Sequence, residues 1–183
     1  RDQLQDILSK IIIRTTRKEV SNYIKFTDRI PHTNILEPSE NEKKLYDEIT
    51  DVVRSLYSEK YSSFALMLYQ RLASSSTNAA KLGLYKMKMK KIIDNAKYNE
   101  LISLANSIRI DCKLSNLLEV VKNDKSKFLI FTEFLSTQDY IAKNLENNGY
   151  SVTIFNGSMS LNEKSESVKR FKSESQIMVS TGA

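Results

Sequence analysis

Residues 127–134 read KFLIFTEF: four apolar side chains, Phe128 to Phe131, run between charged neighbours and stop at Thr132-Glu133-Phe134. Composition does not decide whether this is only a buried strand of a parallel sheet or whether the Thr-Glu-Phe at its carboxyl end belongs to a binding site. The next fifty residues do. Ser136-Thr137-Gln138-Asp139 opens a helix pattern with Tyr140, Ile141 and Leu145 inward, and Asn147-Asn148-Gly149 supplies a left-handed stop. A second apolar run, Val152 to Phe155, leads to Asn156-Gly157-Ser158. A Ser-x-x-Glu capping box at Ser160–Glu163 then starts a helix with Val168 and Phe171 inward, and Ile177 to Ser180 is a third run. Strands alternating with amphipathic helices predict β-α-β-α-β, a parallel sheet with right-handed crossovers. KFLIFTEF is therefore a buried strand.

Upstream the pattern is helical. Pro38 precedes Ser39-Glu40-Asn41-Glu42, a capping box whose helix carries the stripe Leu45, Ile49, Val52, Val53 and Leu56. A second apolar helix covers about Ser62 to Ala73. The run YKMKMKK at Tyr85–Lys91 alternates like a strand, but Leu82, Tyr85, Met89, Ile92, Ile93 and Ala96 fall on one helical face, which predicts a helix. Leu101, Leu104, Ala105 and Ile108 mark another helix; Leu114, Leu117, Leu118 and Val121 mark one more, entered through Asp111. Arg29 to Leu36 is expected to be extended, because Pro31 disfavours helix at its predecessor. The expected fold class is α/β and helix-rich overall: a helical region at 1–112 and a partial parallel β-α-β sheet at 113–183.

The chain has 183 residues, 40% hydrophobic and 27% charged, enough to bury a core and too apolar to be disordered. The single Cys112 excludes an internal disulfide and fits a reducing, cytoplasmic setting. The longest apolar run, Phe64 to Tyr69, is too short to span a bilayer, so no membrane partner is expected. The chain begins at Arg1 and stops just after a strand pattern, and it is expected to be a piece of a longer protein. A net charge of +6 suits either an anionic partner, nucleic acid first, or a lysine-rich solvated surface.

Taken together, KFLIFTEF, FNGSMS and VSTGA resemble consecutive motifs of the second RecA-like lobe of superfamily two helicases, with the Swi/Snf type of DNA-dependent ATPase the closest. IIIRTTRKEV at Ile11–Val20 resembles the Arg-rich element between the two lobes of that family. YQRLASSS at Tyr69–Ser76 resembles a segment of its RapA/HepA-like branch, and CKLSNLLEVV the helix that precedes the second lobe. The resemblance implies a RecA-like sheet of the P-loop NTPase type. It also implies a parent protein that is an ATP-dependent DNA translocase or helicase using ATP and Mg, with duplex DNA as partner and RNA polymerase or another protein as a further one. A nucleoid-associated location would follow in a prokaryote. The other readings are a non-enzymatic protein-interaction module with a Rossmann-like cap and an RNA-directed superfamily two helicase.

Ligands of open parallel sheets bind at the carboxyl ends of the strands. By the resemblance, those ends place Thr132, Gly157, Ser158, Lys164, Ser180 and Thr181 on DNA phosphates and Gly182 on the nucleotide side. Each has a plainer reading as well: Thr132 as a strand terminus, Gly157-Ser158 as a turn before a capped helix. Two positions depart from the family pattern. Asn156 stands where Asp is usual, and Lys164 where Arg is usual, which keeps the charge and loses the bidentate fork. No Gly-x-x-x-x-Gly-Lys-Ser/Thr loop and no Asp-Glu-x-His box occur, nor does the family's late arginine motif, so the chain alone is expected not to hydrolyse ATP and carries no catalytic residue. His32 lacks ligand-spaced neighbours, so no metal site is expected. Glu133 reads as a solvated or structural carboxylate. Arg14, Arg17 and Lys18 read as interlobe contacts, the six lysines from Lys81 to Lys97 as a solvated face or a DNA track, and Tyr57, Tyr61 and Tyr69 as core aromatics.

Overall fold

A computed structural model describes residues 17–20, 23–24, 30–56 and 63–182. The chain divides into two compact units, Arg1–Ile35 and Leu36–Ala183. In the first, the described residues form one short helix, α1 (Arg17–Val20), whose last carbonyl accepts from the N–H groups of Tyr23 and Ile24, both at 2.9 Å. Arg14, the side chains of Arg17 and Lys18, and Tyr57 and Tyr61 lie outside the described residues.

The second unit opens with helices α2 (Glu40–Leu56), α3 (Ser63–Ser75), α4 (Thr77–Met89) and α5 (Asn95–Ser107). Ser39 and Glu42 form the expected reciprocal cap on α2: Ser39 N donates to Glu42 Oε2 at 2.8 Å, and Glu42 N to Ser39 Oγ at 3.3 Å. The stripe Leu45, Ile49, Val53 and Leu56 is buried as its spacing predicts, with Val52 at its edge. These residues pack with Leu66, Tyr69, Leu72, Leu84, Met87 and Leu101 into one apolar cluster. Each such side chain contributes about 1.5–3 kcal/mol on burial, so this cluster holds most of the unit's apolar stabilisation.

Two helical expectations need correcting. The Leu82–Ala96 segment is not one helix on one face: α4 stops at Met89, and Leu82, Tyr85 and Met89 are exposed while Ala79, Ala80, Gly83, Leu84 and Met87 are buried. The stop is a Schellman turn. Lys91 N bonds to Lys88 O and Ile92 N to Met87 O, with Lys91 in the left-handed region at φ 57°. Asp94 then caps α5, its carboxylate accepting from Lys97 N at 2.7 Å. The second correction is smaller: Val168 is exposed rather than inward, and Ser167 takes the buried position on that helix.

Helix α6 (Cys112–Asn123) leads into the sheet, where β1 (Phe128–Thr132), β2 (Val152–Phe155) and β3 (Ile177–Thr181) alternate with α7 (Leu135–Asn147) and α8 (Leu161–Ser173). The strands lie in the order β1-β3-β2, all parallel. The third strand therefore sits between the first two, and all five of its residues are buried. Val121, Leu145, Ile177 and Val179 form a second apolar cluster under α6 and α7. Gly149 ends α7 at φ 85°, the left-handed stop its sequence announces. The expectation that KFLIFTEF is a buried strand is corrected: the order β1-β3-β2 puts β1 at the edge, while β3 takes the buried central place. Among the described residues no helix covers the second face of β1, and Leu129 and Phe131 are 50% and 71% exposed.

Candidate functional site

Register brings the strand ends to one edge. Thr132 pairs with Thr181 across β1 and β3, and Phe155 pairs with Ser180 across β2 and β3. Because partners in a parallel ladder share a face, Thr132 and Thr181 lie on one face of the sheet and Ser180 on the other. The Ser180 hydroxyl turns back and donates to Thr181 O at 3.0 Å. Gly182 follows, exposed, and Asn156-Gly157-Ser158 continues from β2 at the same edge. Ser180 and Thr181 are buried, Thr132 is half-buried, and Gly157 and Ser158 are exposed.

The turn after β2 is built by a residue that sequence reasoning passed over. Gln138, in the first turn of α7, is fully buried. Its amide nitrogen donates to Phe155 O at 2.9 Å and Val179 O at 2.8 Å, stitching the ends of β2 and β3 together. Its Oε1 accepts from Asn156 Nδ2 at 2.8 Å; Asn156 Oδ1 in turn accepts from Ser158 N at 3.1 Å and Ser158 Oγ at 2.7 Å. The departure from Asp at 156 now has a physical cause: Gln138 spends its donor group on two carbonyls and presents an acceptor, so its partner must donate. A lone Gln at the start of a helix facing a strand end is the signal that could have found it. Gly157, at the apex, does not need a positive φ, and an added Cβ would meet nothing within 4 Å. Local packing therefore does not require a glycine here.

Lys164, in the first turn of α8, holds its Nζ 5.8 Å from the centre of the Phe155 ring. The Ser160 N–H and hydroxyl bond Glu163 and keep its carboxyl below the usual carboxylate range, completing the expected capping box. Lys164 is thus brought over the end of β2, on the face that carries Ser180.

The turn after β1 is held against the helical region. Thr132 lines a cleft of about 270 Å³ with Ser75, Ser76, Asp111, Thr137 and Tyr140. Glu133 Oε1 is ion-paired with Arg71 Nη2 of α3, and Phe134 packs against the helical cluster. Helix α7 begins at Leu135 rather than Ser136. Phe134 is its N-cap with no side-chain cap bond, its carbonyl accepting from Thr137 N and Gln138 N. The Thr137 hydroxyl is shared with Ser75 Oγ and Ser76 Oγ, each at 2.8 Å.

Just below, Asp111 joins two helices with one carboxylate. Oδ1 accepts from Leu114 N at 2.9 Å at the start of α6, and Oδ2 accepts from Thr77 N at 3.0 Å at the start of α4. Burial, then the Asp111 charge, push the neighbouring Tyr140 hydroxyl up to about 12, so it stays protonated at any physiological pH. Glu42 reaches from α2 to accept from Cys112 N at 2.8 Å. Burial raises its pKa, but bonds from Cys112 N–H and from the Ser39 hydroxyl and N–H outweigh this and leave it lowered. Burial and the Glu42 carboxylate push the Cys112 thiol up, away from thiolate chemistry. Among the lysines, Lys97 is engaged with Glu48 at 2.7 Å and Glu100 at 3.2 Å, and Lys88 lies over the Tyr98 ring. Among the described residues, no group of three or more His, Cys, Asp or Glu could hold a metal ion, and no helix is long and apolar enough to cross a membrane.

Residues 112–183 match the model of the helicase conserved C-terminal domain. Over 187 residues the chain is 29% identical to the uncharacterized ATP-dependent helicase YqhH of Bacillus subtilis (strain 168), a match that takes in 100% of this chain and 33% of that protein. The chain thus spans about a third of the length of the curated relative it matches. Its fold resembles the solved SWI2/SNF2 ATPase core domain of Sulfolobus solfataricus, with a TM-score of 0.53, 16% identity, and coverage of 100% of this chain and 36% of that one. The helix-rich fold with its small parallel sheet matches that of a RecA-like helicase C-terminal lobe, the family model itself covering residues 112–183.

Proposed function

We propose that the carboxyl edge of this sheet is a phosphate-backbone site in an ATP-dependent DNA translocase of the Swi/Snf type. Thr132, Gly157, Ser158, Lys164, Ser180 and Thr181 would face phosphates of one strand of duplex DNA. The observation that carries the reading is the register. Thr132 and Thr181 pair on one face at the end of adjacent strands, beside a glycine turn open to approach. Hydroxyls, backbone N–H groups and one lysine suit phosphate oxygens and read no sequence. The matches to a helicase C-terminal domain and to a relative named an ATP-dependent helicase support a nucleic-acid motor as the parent. The Tyr69–Ser76 pattern is what favours the RapA/HepA-like branch, with RNA polymerase or another protein as a further partner and a cytoplasmic setting, nucleoid-associated if the source is prokaryotic. The reading also divides the chain into a helical protrusion at 1–112 and a lobe at 113–183.

The residues of this chain do not make a nucleotide cradle: no phosphate-binding loop of the Gly-x-x-x-x-Gly-Lys type is present. ATP and Mg therefore belong to the parent protein in this reading, Gly182 alone is assigned to the nucleotide side, and the isolated chain should not turn over ATP.

The test is binding of a mixed-sequence duplex oligonucleotide by the chain across a salt series. Each neutralised phosphate contributes a slope of about −0.9 in log affinity against log salt. Thr181→Val is nearly isosteric, so it should leave the melting temperature in place while removing a charge-assisted hydrogen bond of about 1.5–3 kcal/mol. That is roughly a ten- to hundredfold loss at that contact. Salt-independent binding, or a Thr181→Val protein that binds as the parent sequence does, would remove the edge from the site.

A further inference from the structure

Three separate anchors from the helical region converge on the few residues that follow Thr132. The Arg71 guanidinium takes Glu133. The helical apolar cluster takes the Phe134 ring. The Ser75 and Ser76 hydroxyls take Thr137, and Asn78 Nδ2 donates to Ser136 O at 2.9 Å. All four polar donors and acceptors on the helical side come from residues 71–78, the end of α3 and the start of α4. Stability alone does not account for the ion pair. Its side chains are 54% and 48% exposed, and exposed pairs of this kind contribute about 0–1 kcal/mol. What the pair can fix is position and charge. Glu133 is a carboxylate beside a strand end that would face phosphates, where an unpaired negative charge repels the ligand. Arg71 draws that carboxylate onto α3 and neutralises it, and in doing so holds the turn that carries Thr132.

We propose that Arg71 is a positioning residue for the phosphate edge: with Ser75 and Ser76 it clamps the β1–α7 turn and turns the Glu133 charge away from the ligand. This rests on the phosphate-site reading above. The Arg-Leu-Ala-Ser-Ser-Ser run at 71–76 is then a clasp between the helical region and the sheet.

The experiment uses the whole chain, a mixed-sequence DNA duplex as probe, and four proteins: parent sequence, Arg71→Glu, Glu133→Arg, and the double exchange. Hydrogen exchange at the amides of residues 133–138 reports the clamp without any ligand. Arg71→Glu should raise exchange there and weaken DNA binding about fivefold, near the upper end of an exposed pair's coupling. The double exchange should restore both. Melting temperature should stay within a few degrees throughout, since little burial changes, and Arg71→Ala replaces Arg71→Glu if the reversal does not fold. Unchanged exchange in Arg71→Glu, or failure of the double exchange to restore protection, would overturn the clamp. Exchange that responds while DNA binding does not would reduce Arg71 to a structural contact and overturn the positioning role. Thr181→Val run alongside tells the two readings apart: if it leaves DNA binding untouched, the phosphate edge has failed, whereas exchange still judges the clamp.

Discussion

The turns after β1 and after β2 occupy equivalent places, each leading from a parallel strand into the start of a helix, yet they are held by different parts of the molecule. Asn156-Gly157-Ser158 is fixed from within its own lobe: Gln138 binds Asn156, and Asn156 binds Ser158. Thr132-Glu133-Phe134 is fixed from outside, by Arg71, Ser75, Ser76 and the helical cluster. The lobe's own apolar cluster is small, with four buried members beneath the sheet. A lobe with so little core can hold one turn by a buried amide network, which needs few residues. The other turn takes its order from the larger helical core. A disturbance in the helical region should therefore reach the first turn and spare the second.

The sharpest way to break this contrast is Gln138→Leu. The substitution keeps bulk but leaves Phe155 O, Val179 O and Asn156 Nδ2 without their partner in a fully buried place. Orphaned buried groups cost about 1–3 kcal/mol each and do not add fully, so a loss of about 2–4 kcal/mol is expected in urea unfolding. Amides at 156–158 should lose protection while those at 133–137 change less. Equal loosening of both turns would show that they share one support.

Thr137→Val is the counterpart for the first turn. Thr137 is buried and its hydroxyl is shared by Ser75 and Ser76, so the isosteric valine strands two serine hydroxyls at the joint. Ser76 retains its cap bond to Ala79 N, which limits the damage to about 1–2 kcal/mol. Protection should fall at 133–138 and hold at 156–158. A valine variant as stable as the parent sequence would mean that the joint rests on Phe134, Arg71 and the Asn78–Ser136 bond.

The contrast also explains what could be read from the chain. The strands, their parallel pairing and both Ser-x-x-Glu caps follow from local rules, period and capping chemistry, and the structure keeps them. The end of α4 was not legible, because a Schellman turn usually shows a glycine at the left-handed position and here shows Lys91. The buried face of α4 was misread for a related reason: Ala79, Ala80 and Gly83 are small, and hydrophobicity patterns weight the larger exposed Leu82, Tyr85 and Met89 above them. At the site, Gly157, Ser158 and the threonines were visible as small polar residues at strand ends. Gln138 was passed over: its place at a helix start gave a weak sign, and what makes it matter is the convergence of two carbonyls and Asn156 where two strands and a helix meet. Arg71 and Glu133 stand 62 positions apart and carried no local sign.

Acid should act on the joint between the helices and the sheet. Glu42 bonds Cys112 N–H at the link between the helices and the lobe, and its pKa in the folded chain lies below its unfolded value. Its contribution is therefore present above the ordinary carboxylate range and is lost as pH falls through the lowered folded value. Glu42→Gln should cost about 1 kcal/mol at neutral pH, the size of a helix-cap loss, and should flatten the acid limb of a stability-against-pH curve. An unchanged acid limb in Glu42→Gln would assign acid sensitivity to other carboxylates.

Gly157→Ala has the smallest expected effect on folding and sharpens the comparison most directly at the candidate site. If the glycine were there for the turn itself, a side chain would strain it. The backbone at 157 is outside the left-handed region, however, and a Cβ would meet nothing within 4 Å. Folding stability should therefore change by less than about 0.5 kcal/mol, as for a surface substitution away from special backbone geometry. A phosphate brought close to the turn would meet the new methyl group, so DNA affinity should fall while urea midpoints coincide. The Asn156–Ser158 bonds supply the control: hydrogen exchange at 156–158 should match the parent sequence, which confirms that the turn itself has not moved. If affinity and midpoint are both unchanged, Gly157 belongs to neither the fold's requirements nor the ligand's, and the phosphate edge loses Gly157.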